Sequence, residues 1–79
     1  MSAKGYLTLQ EISSRTGLGL SGLNFYVNLG LLPVADRRGN KRLFKERIVL
    51  QRLKEIKNLK RQGYPLRIIV RQLTGVSAA

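Results

Sequence analysis

Apolar residues recur along most of this chain at helical spacing, interrupted once by a short run in which apolar and cationic side chains alternate. Leu7, Leu9 and Ile12 share one side of the first segment, with Gln10, Ser13, Ser14 and Arg15 facing out. Thr8 and Glu11 have the spacing of a capping box, which predicts a first helix running to about Thr16 and makes Glu11 a cap rather than a catalytic acid. The next stretch, TGLGLSGLNFYVNLGLLP (residues 16–33), reads as a turn and a second helix. Stepped at about 100° per residue, Ser21, Asn24, Phe25 and Asn28 fall within one arc, and Leu20, Leu23, Tyr26 and Val27 within the opposite one. Gly17 and Gly30 suit the left-handed position that closes a helix. Two short helices joined by a tight glycine turn follow, one face packed and the other polar.

Pro33 ends helical geometry, and VADRRGNKRLF carries an Arg38-Gly39-Asn40 turn signal between short apolar and basic runs. It predicts a β-hairpin in which Val34 to Arg37 pairs with Lys41 to Phe44, with Lys41 and Leu43 on one face and Arg42 and Phe44 on the other. From about Glu46 to Gln62 a long helix carries Val49, Leu53 and Ile56 as its stripe, Ile48 and Leu59 at the margins, and Lys60 snorkelling to water near its end. Its outer face holds Gln51, Lys54, Glu55, Asn58, Arg61 and Gln62. Gly63 stops it, Tyr64-Pro65 restarts the chain, and Leu66, Ile69, Val70 and Leu73 form the stripe of a last helix, with Arg67, Ile68 and Arg71 outside. The chain thus divides into a lead-in (residues 1–7), one domain (8–73) and a small-residue tail (74–79) expected to be disordered.

Charge narrows what such a domain does. The 79 residues include fifteen Lys and Arg against four Asp and Glu, a formal net charge of +11. A field of that size attracts polyanions, nucleic acid first among them. Surfaces selected for solubility alone mix their signs. There is no cysteine and no histidine, so thiolate nucleophiles, imidazole bases, disulfides and nearly every zinc site are excluded. The four carboxylates, Glu11, Asp36, Glu46 and Glu55, lie in different elements, and Gly17, Gly19 and Gly22 match no nucleotide fingerprint. An enzyme, a metal and a cofactor are therefore not expected. Neither a signal peptide nor a run of about 20 apolar residues is present, and a cytoplasmic, nucleoid-associated protein is the expectation.

Helix-turn-helix, basic hairpin, long helix with a terminal glycine, then Tyr-Pro-Leu: this order resembles the amino-terminal DNA-binding domain of the mercuric-resistance regulator (MerR) family. The segments YLTLQEISSRTGL, LNFYVNLGLLP, RRGNKRLF and LKEIKNLKRQGYPLRII carry the likeness over residues 6 to 73. It implies a mainly α winged helix-turn-helix, helix-helix-hairpin-helix-helix, with the second helix in the major groove and wing cations on flanking phosphates. It also implies two-fold operators bound by dimers, and promoter DNA distorted for RNA polymerase. Base contacts are then expected from Ser21, Gly22, Asn24, Phe25 and Asn28. Backbone contacts are expected from Arg15, Tyr26, Arg37, Arg38, Lys41, Arg42 and Lys45.

Several positions depart from the family pattern. Asn24 and Ser21 stand where basic residues are usual, which shifts base readout toward amides and hydroxyls, Asn24 and Asn28 being able to contact adenine edges. Gly19 replaces a Ser or Thr helix cap, Gly22 sits inside the helix, and the junction around Lys45 is one residue longer and lacks a capping side chain. Family regulators continue into a dimerisation helix and an effector domain, so this chain is expected to be an excised DNA-binding domain or a small regulator that assembles on DNA. Two other readings fit the same features: an excisionase or phage packaging protein with a similar winged domain, and a basic protein-interaction adaptor.

Overall fold

Helix α1 (Leu9–Thr16) starts on the reciprocal bonds of a capping box, Glu11 N–H to Thr8 Oγ1 at 3.2 Å and Thr8 N–H to Glu11 Oε1 at 2.8 Å. It ends on left-handed Gly17. The computed structural model describes residues 5–75 and adds in order β1 (Tyr6–Leu7), α1, α2 (Leu20–Asn28), β2 (Asp36–Arg38), β3 (Lys41–Lys45), α3 (Glu46–Arg61) and α4 (Leu66–Thr74). Four helices with a small hairpin make it a winged helix-turn-helix, as the pattern predicted.

The core gathers one apolar stripe from each helix. Ile12 of α1, Leu23 of α2, Val49, Leu53 and Ile56 of α3, and Ile69 and Val70 of α4 close around Leu31, Leu32 and Phe44. Full burial of such side chains stabilises by about 1.5–3 kcal/mol each before ordering entropy is subtracted. No polar or charged residue is buried among the described residues. The fold is therefore held by packing, while its charge stays at the surface.

Part of the lead-in is structured. Tyr6 and Leu7 pair antiparallel with Lys45 and Phe44, making β3 the centre of a three-stranded sheet in the order β1-β3-β2. Gly5 accepts from the Glu46 N–H at 3.0 Å, satisfying one of the orphan donors of α3, which has no side-chain cap. Residues 1–4 lie outside the described part.

Four local expectations change. The hairpin begins at Asp36 rather than Val34, with Asp36 opposite Leu43, Arg37 opposite Arg42 and Arg38 opposite Lys41. The two-residue loop Gly39-Asn40 sets this register; Gly39 has φ 58°, where glycine is favoured. Leu20 is 45% exposed instead of packed, because a first-turn side chain leans back past the helix end. Ile68 is half-buried although it faces away from its stripe. Thr74 still belongs to α4, which closes on left-handed Gly75; the rest of the expected tail, residues 76–79, lies outside the described part. The Arg52 guanidinium donates to the Leu73 carbonyl at 2.8 Å and satisfies an end of α4 that the stripe alone leaves open.

Candidate nucleic-acid interface

Helix α2 carries the polar arc. Ser21, Gly22, Asn24, Phe25 and Asn28 are all exposed on it, Phe25 at 51%. Leu23 is fully buried on the other side, which fixes the helix's rotation and holds the arc outward. The helix has no side-chain cap, since Gly19 precedes it. Its N-terminal amides consequently remain available to an anion.

The hairpin carries the cations. Arg37, Arg38, Lys41 and Lys45 are exposed and Arg42 is half-buried. Cross-strand partners lie on the same face, so Arg37 sits beside Arg42 and Arg38 beside Lys41. Like charges placed opposite one another oppose pairing, so the hairpin presents a concentrated positive field.

Arg42 joins the two surfaces. Its Nη2 donates to Asn24 Oδ1 at 2.9 Å, across 18 residues of sequence. Wing and helix arc are thereby one continuous face. The Asn24 amide that was expected to read a base already has its oxygen engaged by a wing residue expected to hold a phosphate.

Arg15 and Tyr26 stand differently from the rest. Arg15 is exposed but ion-paired with Glu46 at the start of α3; no periodicity in the sequence signals a partner 31 residues away. Tyr26 is half-buried, packs against the core and accepts from Lys60 Nζ at 3.4 Å, on the flank of α2 opposite Asn24. Its ring lies 6.4 Å from that of Phe25, tilted by 40°. Three of the four acids are engaged: Glu11 caps α1, Glu46 holds Arg15, and Asp36, on β2 of the wing, accepts from the Arg37 backbone N–H at 2.8 Å.

An exposed polar helix arc, bonded to a cationic hairpin with little competing negative charge, is a surface for a polyanion. A family model described as MerR HTH family regulatory protein matches residues 7–76. The chain belongs to that family. No solved structure matches it. Membership of the MerR family agrees with the resemblance drawn from the four sequence segments and makes the domain a DNA-binding helix-turn-helix of a transcription regulator. No helix among the described residues is long and apolar enough to cross a membrane.

Proposed function

We propose that this MerR-family domain binds double-stranded DNA sequence-specifically and regulates transcription in the cytoplasm, with α2 in the major groove and the wing on the backbone. The observation that carries the reading is the Arg42–Asn24 bond, which ties the polar arc to the wing in one face. Ser21, Asn24, Phe25 and Asn28 then meet base edges, while Gly22 lets the helix approach closely. Arg37, Arg38, Lys41 and Lys45 neutralise phosphates, and Arg42 does so while orienting Asn24. Arg15 contributes through the field of its guanidinium, partly offset by Glu46. Tyr26 braces α2 against α3.

Operators of two-fold symmetry, a homodimer formed on DNA and action on RNA polymerase belong to the same proposal. Selection of bound duplexes from a random pool, followed by affinities on the selected and on random DNA, tests it. Arg42→Ala is expected to weaken both duplexes, and Asn24→Ala to reduce mainly the preference between them. Because the two side chains are bonded, their losses are expected to be non-additive in the double variant. Equal losses on both duplexes from Asn24→Ala refute the base-reading role. Direct repeats instead of an inverted repeat among the selected sites favour an excisionase-type assembly.

A further inference from the structure

On the flank of α2 away from the polar arc, the α1–α2 turn and α3 border an open groove of about 650 Å³. Leu18, Tyr26, Leu50 and Leu53 form an apolar floor, and Lys54, Lys57, Lys60 and Arg61 stand along its α3 side. No carboxylate lines it. Lys60 Nζ and the Tyr26 hydroxyl, 3.4 Å apart, bridge α3 and α2 across it, so two polar donors stand beside apolar surface.

Three properties define the occupant. The lining runs along α3 from Leu50 to Arg61, about 16 Å at 1.5 Å per residue, which matches about three turns of a second helix rather than a compact metabolite. The floor is apolar, with Leu18 left 40% exposed at its edge, and a sugar-phosphate backbone gains nothing from such a surface. The cations of the rim all stand on α3, so the complementary partner carries carboxylates along the flank of its apolar stripe that faces that helix. We propose that this groove docks an amphipathic helix of a partner protein, with apolar residues at i, i+3/i+4 and i+7 flanked by Asp or Glu. The groove and the polar arc lie on opposite flanks of α2, so partner and DNA are held together. The proposal does not depend on the identity of the DNA site.

The probe is a fluorescein-labelled synthetic peptide of about 15 residues with that leucine and glutamate spacing, set against a peptide of the same composition in shuffled order. Fluorescence anisotropy with the full chain, at physiological salt, is expected to show saturable binding of the ordered peptide at least about tenfold tighter than of the shuffled one. Amide shifts in the ¹⁵N-labelled chain are expected at Leu18, Tyr26 and Leu53. The charge-reversing pair Lys54→Glu and Lys57→Glu is expected to weaken the peptide at least about fivefold. Leu18→Ser, which leaves the charge unchanged, is expected to weaken it while DNA binding is retained. Equal affinity for the shuffled peptide, shifts confined to the wing, or indifference to both sets of substitutions overturns the proposal. So does finding that the same resonances respond instead to duplex DNA, to dodecanoate, or to self-association of the chain.

Discussion

Gly22 is the least favourable residue for helix within α2, and replacing it with alanine is expected to stabilise the protein. It lies in a regular turn of the helix, is exposed, and a Cβ built on it meets no atom within 4 Å. Its φ is not in the left-handed region, so alanine fits without strain. No packing term enters on either side. What remains is the helix propensity difference, about 0.8–1.0 kcal/mol in favour of alanine, much of it entropy removed from the unfolded chain. In a domain of this size that corresponds to a rise in Tm of about 4–8 °C. Thermal unfolding followed by far-UV circular dichroism, with urea titration at constant m as a second measurement, reads it directly. Amide exchange within α2 should slow in parallel, since the same change opposes local fraying of an uncapped helix. A Tm that stays level or falls refutes the reasoning, because it means that residue 22 is not held in an unconstrained helical turn.

Other consequences follow from named contacts. Thr8→Ala removes the side-chain acceptor of the capping box and is expected to cost about 1 kcal/mol in urea titration. Phe44→Ala empties a fully buried site shared by the sheet and the helices, at about 3–5 kcal/mol; calorimetry should find little of the cooperative transition left if total stability is at the low end of the usual range of about 5–15 kcal/mol. Lys41→Ala is expected to reduce the slope of log affinity against log salt by about 0.9, the contribution of one phosphate contact.

The helices were legible because each repeats its signal. Ile12, Leu23, Val49 with Leu53 and Ile56, and Ile69 with Val70 stand at the spacing a buried stripe requires, and all are buried. Thr8 and Glu11 marked the start of α1 through a local signal of another kind, the capping box. Where no repeat exists, the pattern was silent. A strand of two residues such as β1 has no period, and its partner lies about forty positions away. The start of β2 was misplaced because Val34 and Ala35 look as strand-like as Asp36, whereas the register is counted from the Gly39 turn. Among the candidate contacts, the polar arc was readable from periodicity. The Arg42–Asn24 and Arg15–Glu46 pairs, 18 and 31 residues apart, were not, since they exist only after α1, α2, the wing and α3 have come together.

Those long-range ties bear on how a wing with this composition stays folded. Arg37 opposite Arg42 and Arg38 opposite Lys41 each disfavour pairing, by about 0.2–1 kcal/mol per like-charged pair, and a two-stranded hairpin is marginal in water even without that cost. Two features offset it. Phe44 and Leu43, on opposite faces of β3, are both buried, and β1 supplies a third strand on the other edge. The repulsion falls on the β2 side while the anchorage lies on the β1 and core side, so β3 carries the load between them. The strand that residues 6–7 provide therefore supports the wing from the edge opposite its cations. If the wing meets phosphates as proposed, their neutralisation removes the opposing term, and duplex binding is expected to raise the protection of the wing's amides against exchange.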